Sequence, residues 1–281
     1  MSSTQVVRWG ISVLGAVAMV TLLASTAAAQ GAAAATPKVA VTGAIDFTNQ
    51  YSFRGIRQNT RGMATQPWIN VHVNAAEGSG GVKSVGVDLG LWNSLHNKDN
   101  SPTFESGGWY ELDYIASLGL GFGGGAALTT TYTSYTSPND SFAHVKELME
   151  KLSVTNKLNP YAIVAFELSD DGQADAGAGK GTYVELGVAP AYSGSKASLA
   201  VPIKVGLSAN DYYEFGTGTD SKFGYFSIAG IVTVPAGAHW NVHFGAELQA
   251  YGDNLKAYNA FGDSGDRSTA GILSLGLGFS F

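Results

Sequence analysis

The feature that most limits what this chain can fold into is a two-residue alternation of apolar with small or polar side chains, which returns in segment after segment. At the C-terminus Leu273, Leu275, Leu277, Phe279 and Phe281 fall on one face, and Ser274, Gly276, Gly278 and Ser280 on the other. Trp240, Val242, Phe244, Ala246 and Leu248 oppose Asn241, His243, Gly245, Glu247 and Gln249 in the same way. Leu199, Val201, Ile203, Val205 and Leu207 oppose Ser198, Ala200, Pro202, Lys204 and Gly206. Each such segment has one face to bury and one that seeks polar surroundings, so sheet rather than helix organises the chain.

Followed throughout, the alternation gives about twelve segments, at 39–53, 64–75, 82–94, 107–121, 126–136, 143–155, 160–169, 181–192, 197–208, 222–234, 239–252 and 268–281. Mostly tight turns at 74–81, 122–125, 156–159, 193–196 and 235–238 alternate with longer polar connections near 54–63, 95–106, 170–180, 209–221 and 253–267, and a shorter one near 137–142. Short turns on one side, long loops on the other and an even strand count describe an outer-membrane barrel. A soluble sandwich shares the alternation, but its strands usually run about 5 to 6 residues. A tilted membrane strand needs about 9 to 11 residues, and closure removes edges that hydrocarbon would leave unpaired. The segment 143–155 is the least regular: Val145, Leu148, Met149 and Leu152 have helical spacing, with Glu147 and Lys151 at i,i+4. As a strand it restores the even count and places Glu150 among the lipid-facing Leu148, Leu152 and Val154.

Residues 1–29 read as a secretory signal peptide, with Arg8, an apolar run from Trp9 to Leu23, and Ala27-Ala28-Ala29 before Gln30. Residues 30–38 read as a flexible leader, and 39–281 as one barrel domain. No later stretch is long and apolar enough for a membrane helix. Among the 281 residues are no cysteines, which excludes a disulfide scaffold or a thiolate metal site. With 22 acidic against 16 basic residues and no basic run, nucleic acid is not an expected partner. Aromatic girdles at the two interfaces are expected to include Tyr110, Tyr132, Trp240 and Phe281.

Carried along the strands, the alternation turns Asp46, Asp88, Glu111, Asp113, Glu147, Glu167, Glu185 and Glu247 inward, together with Arg54, Lys204 and His243. These are the candidate lumen-lining residues, because lipid forbids what a hydrated or hydrogen-bonded lumen accepts. Twelve strands give a width between a filled eight-stranded barrel and an open sixteen-stranded pore, so these groups either line a narrow channel or pair to plug it. Three enzyme-like motifs carry less. Gly119 to Gly124 satisfies G-x-G-x-x-G, but the Thr-rich alternating segment after it is no dinucleotide-binding helix. Ser94 and His96 have the residue types of a nucleophile and its base, at a strand end with no placed carboxylate. His239 and His243 would lie about 13 Å apart along a strand, too far to share a metal. Asp170, Asp171, Asp175, Asp263 and Asp266 give acidic loops whose default role is solvated charge. No catalytic residue, metal or cofactor is expected.

Asn49-Gln50-Tyr51-Ser52-Phe53-Arg54-Gly55-Ile56-Arg57-Gln58-Asn59 resembles the Y-x-F-R-G-I-x-Q segment near the mature N-terminus of an uncharacterised proteobacterial outer-membrane family, the Gcw-type conserved hypothetical proteins. Glu111-Leu112-Asp113 and the aromatic C-terminal end are similar to that family too, whereas His144-Val145-Lys146-Glu147-Leu148 departs from it where an aromatic precedes the Glu. The resemblance implies a barrel, with no substrate attached. The terminal Phe281 resembles the signal read by the barrel assembly machinery. The expectation is a porin-like outer-membrane barrel of a Gram-negative bacterium, a narrow channel for passive passage of small solutes or cations. A closed structural or surface-interaction barrel acting through its external loops is the alternative. The expected partners are outer-membrane lipid, the assembly machinery and the passing solutes.

Overall fold

The computed structural model describes residues 38–59, 61–98, 108–168, 179–215, 219–260 and 265–281. The signal peptide at 1–29, all but the last residue of the leader, and Asp170, Asp171, Asp175 and Asp263 lie outside these residues.

The chain forms a closed barrel of 12 antiparallel strands. In chain order these are β1 (Val39–Thr48), β2 (Ala64–Glu77), β3 (Val82–His96), β4 (Gly108–Phe122), β5 (Ala126–Thr136) and β6 (Val145–Val154). Then come β7 (Tyr161–Glu167), β8 (Thr182–Val188, resumed at Ala191–Ser193), β9 (Ser198–Ala200, resumed at Ile203–Asn210), β10 (Phe223–Pro235), β11 (Trp240–Tyr251) and β12 (Thr269–Ser280). Each pairs with its neighbour in sequence, and β1 closes the sheet by pairing with both β2 and β12; Ile45 stands opposite Pro67 on one side and Leu277 on the other. The segment around 143–155 is therefore strand, not helix. Its backbone is held on both flanks, by β5 and by β7, and this outweighs the local helical spacing.

Two strands break at prolines, which cannot donate to the ladder. Pro190 interrupts β8 and Pro202 interrupts β9, side by side, and the ladder survives through their carbonyls: Val201 N–H donates to Pro190 O and Ala229 N–H to Pro202 O, each at 2.9 Å.

The outward face is apolar, as in the exposed Leu89, Leu186, Phe244, Leu248, Leu273 and Leu275. The inward face holds the buried polar groups Asn70, Ser94, Glu111, Asp113, Glu147, Glu167 and Glu185, with buried tyrosines between them. The core is thus the lumen. Two expectations need correction. The first segment does not run on to 53: β1 ends at Thr48, and the residues after it fold inward instead of forming an external connection. Tyr110 does not belong to a girdle, because its ring is buried in the lumen and stacks on His96 at 4.2 Å. Tyr132, Trp240 and Phe281 are exposed.

This register is open to a direct check. Leu275 faces out near the middle of β12, so Leu275→Arg is expected to lower stability in lipid vesicles by about 2–4 kcal/mol. Ser274→Arg, which points into a lumenal cavity, should cost far less. Urea unfolding followed by tryptophan fluorescence compares them, and equal losses would contradict the register.

Candidate functional site

The segment after β1 makes the site. Ser52–Phe53 and Ile56–Arg57 pair as a two-stranded ribbon that enters the lumen, with Ser52 opposite Arg57 and Phe53 opposite Ile56. The two residues at its tip, Arg54 at φ 48° and Gly55 at φ 82°, both have left-handed backbone. That is the pattern of a type I′ hairpin turn, whose twist matches the strands it joins. Glycine takes this conformation freely, whereas arginine pays about 1–2 kcal/mol for it. A Cβ on Gly55 would also meet Leu255 and Tyr225 at 2.9 Å.

What holds Arg54 there is a bidentate ion pair to Glu147 on β6: Nη1 donates to Oε2 at 2.5 Å and Nη2 to Oε1 at 2.7 Å. Nη1 also donates to the Tyr212 hydroxyl at 2.8 Å, and the guanidinium lies over the rings of Tyr183, Phe53 and Tyr212. Tyr135 donates to the same carboxylate at 3.1 Å. The planar guanidinium suits both fork and ring stacking, which lysine would not supply.

The rest of the ribbon is tied to the wall at several heights. Tyr51 donates its hydroxyl to Glu111 at 3.0 Å, Ser52 to Gln249 at 2.8 Å, and Tyr110 to Gln58 at 2.9 Å. Asn59 accepts from the Tyr51 N–H at 2.6 Å and closes the base of the ribbon. Two other long connections fold over it. From the β9–β10 connection Tyr213 donates to Arg54 O at 2.8 Å; from α1 (Asp253–Asn259), Asn259 donates to Gly55 O at 2.7 Å and accepts from Arg57 N–H at 2.9 Å. Asp220 fixes the first of these connections by accepting from Ser208, from Lys222 and from the N–H groups of Asp211 and Tyr213. Burial alone would push its carboxyl up, but the hydrogen bonds from Lys222, Ser208 and Tyr213 outweigh this and hold it below the usual carboxylate range.

The other sequence-selected residues sit around this ribbon in separate groups. Asp113 is fully buried two residues from Glu111 on the same face. Glu167 accepts from Gly181 N–H at 2.6 Å. Glu185 accepts from three tyrosines, Tyr161, Tyr183 and Tyr225, with Lys204 at 3.9 Å. Asp46 accepts from Trp68 at 3.0 Å and meets His243 at 2.5 Å. Glu247 accepts from Ser227 and Gln249. Asp88 lies apart from these, with Asn70 and His72. Phe281 is outside the lumen, stacked on His239 at 4.6 Å. A cavity of 180 Å³ remains between the ribbon and the wall, reached by Asp46, Glu185, Lys204, His243 and Glu247.

Ser94 and His96 do meet, Oγ to Nε2 at 3.1 Å, but on the lumenal side and deeply buried; the His96 Nδ1 atom has no hydrogen-bond partner among the described residues. Among the described residues no group of three metal-ligating side chains comes together. Sequence reasoning missed Tyr51, Tyr212 and Tyr213, and also Lys151, which faces inward with its amine 5.0 Å from the Tyr161 ring. A signal for the first was present: Tyr51 and Phe53 alternate up to an Arg-Gly pair followed by Ile56, which is a hairpin pattern.

No protein-family model matches the sequence, and no curated protein matches it. Among solved structures, an outer-membrane channel from Pseudomonas putida F1 superposes with a TM-score of 0.50 at 12% identity, over 88% of this chain and 97% of that one. The fold is that of an outer-membrane barrel. The outer-membrane phospholipase of Salmonella typhi gives 0.48 at 12% identity, over 85% and 90% of the two chains, and the NanC porin 0.47 at 10%, over 84% and 98%.

The ion pair predicts an asymmetric mutant series. Glu147→Ala strands a buried guanidinium and is expected to cost about 3–5 kcal/mol, while the double variant Arg54→Met with Glu147→Leu should lose much less than the two single changes summed. Thermal or urea unfolding in detergent micelles measures the cycle; additive losses would show that the pair does not hold the ribbon.

Proposed function

We propose that this barrel is a narrow channel for small solutes, with a preference for cations, and that the arrangement described above is its closed state. The observation that carries the reading is the cavity beside the ribbon. It is lined by ionisable groups from several strands, which a barrel serving only as a scaffold has no need to gather. The inward charge supports the cation preference. Among the described residues eight carboxylates, Asp46, Asp88, Glu111, Asp113, Glu147, Glu167, Glu185 and Glu247, face five cations, Arg54, Lys151 and Lys204 together with Arg57 of the ribbon and Arg267 beside it. In a low-dielectric wall the surplus focuses a negative potential along the lumen. Passage requires the ribbon to move, and releasing Arg54 from Glu147 is the step that frees it.

The second reading, a closed barrel acting through its outer loops, draws support from the density of bonds on the ribbon. Planar-bilayer recordings separate the two. Wild-type protein is expected to open rarely and with small steps, and Arg54→Ala or removal of 50–59 to give larger and more frequent ones. Under a KCl gradient the reversal potential should show cation preference, reduced by Asp46→Asn with Glu247→Gln. Anion preference would contradict the charge argument, and silence in the wild type and in both ribbon variants would favour the closed barrel.

A further inference from the structure

The 180 Å³ cavity beside the ribbon is not lined by charge alone. Its floor is the inner face of β9–β12. Pro202, Ala229, Glu247 and Ile272 follow one another there across four strands, with Lys204 two residues from Pro202 along β9 and Ile231 two residues from Ala229 along β10. All six line the cavity, so an apolar floor lies among its ionisable groups. Most of those groups are already committed. Arg54 is held by Glu147, Asp46 by Trp68 and His243, and Glu185 by three tyrosine hydroxyls. Two keep unused capacity. Lys204 Nζ makes no hydrogen bond among the described residues, its nearest carboxylate oxygen being Glu185 Oε2 at 3.9 Å. Glu247 accepts from both Ser227 and Gln249 on Oε1, which leaves Oε2 open.

Lys204 and Glu247 stand at opposite corners of this floor with β10 between their strands, and among the described residues they form no ion pair with each other. An ammonium and a carboxylate oxygen without partners inside a barrel are both costly. Water would hydrate them but gains nothing from the apolar floor. A simple cation answers Glu247 and is repelled by Lys204, and an anion does the reverse. A solute that carries a carboxylate, an ammonium and an apolar part answers all three features, which is the usual make-up of a small-molecule pocket: apolar walls with a few convergent polar groups. The size agrees, since a cavity of about 150 Å³ holds a benzene-sized guest. We propose that the cavity is a binding site for a small zwitterion of the amino-acid type. Its carboxylate meets Lys204, its ammonium meets Glu247 Oε2, and its apolar side chain lies against Ala229, Ile231 and Ile272. The site rests on the channel reading for its route of entry, whereas its occupancy is measured without conductance.

L-Leucine, 3-methylbutylamine and 4-methylpentanoate share one apolar part and differ in charge: leucine has both charged groups, the amine lacks the carboxylate, and the acid lacks the ammonium. Isothermal titration of folded wild-type protein in nonionic detergent, with empty micelles as reference, is expected to show saturable leucine binding. Each analogue should bind at least about tenfold more weakly, the loss expected when one charged hydrogen-bonding group is removed. Lys204→Met should weaken leucine and the acid but not the amine, and Glu247→Gln should weaken leucine and the amine but not the acid. Heat-modifiable gel mobility establishes that each variant is folded, and the three compounds on the wild type decide the matter if a variant is not. The proposal is overturned if leucine shows no saturable binding, if the amine binds as tightly as leucine, which would make this a plain cation site, or if D-glucose binds as tightly, which would make it a site for hydroxyls. Leucine binding by a barrel that is silent in planar bilayers would keep the site and discard the channel; conduction without leucine binding would do the reverse.

Discussion

The ribbon that fills the lumen is anchored by a single buried arginine. Arg54 occupies a backbone conformation unfavourable to it, at the tip of a ribbon with no sheet of its own to join. Its guanidinium would be costly to bury unpaired. Glu147 supplies the opposite charge in a fork geometry, and the rings of Tyr183, Phe53 and Tyr212 supply the faces. Once the tip is fixed, Tyr51 reaches Glu111, Ser52 reaches Gln249, and the connections bearing Tyr213 and Asn259 have a surface to close over. The barrel wall sets where Glu147 is, and the ion pair decides what fills the space inside.

The wall was legible in the sequence because its physics is local. A strand between lipid and lumen must alternate, and the twelve segments read from alternation fall within a few residues of the strands observed, apart from the first. The failure at β1 has the same cause as the success elsewhere: Tyr51 and Phe53 continue a period of two beyond Thr48, so nothing local marks the point where the chain leaves the sheet. What ends β1 is tertiary, since the partner of Arg54 lies 93 positions away on β6. Tyr110 was misplaced for a related reason. Pairing between β3 and β4 shifts register between Ser94 and Leu95, and the irregularity turns the ring inward where strict alternation from the strand end gave no warning.

The site was legible as a set of charges, and illegible as an arrangement. Alternation collected Glu111, Glu147, Glu185 and Glu247 on the inner face, but it could not show that Glu185 is shared by three tyrosines and Lys204 while Asp46 is taken by Trp68 and His243. Tyr212 and Tyr213 were invisible to it, because they sit in a polar connection and only the fold brings them over Arg54. The inner charges are mostly bonded in groups rather than spread along an open path, and alternation carries no information about such grouping.

Amide hydrogen exchange at residues 50–59 of the folded protein in lipid tests the central claim most directly. The ribbon is hydrogen-bonded within itself and to the wall, with Gln58 N–H bonded to Tyr51 O at 2.8 Å and Tyr51 N–H to Asn59 Oδ1 at 2.6 Å. The account predicts that Tyr51, Arg57 and Gln58 exchange as slowly as amides of β3 and β4, and that Glu147→Ala accelerates them while leaving those strands protected. Exchange of 50–59 in the wild type at the rate of an open surface loop would contradict it.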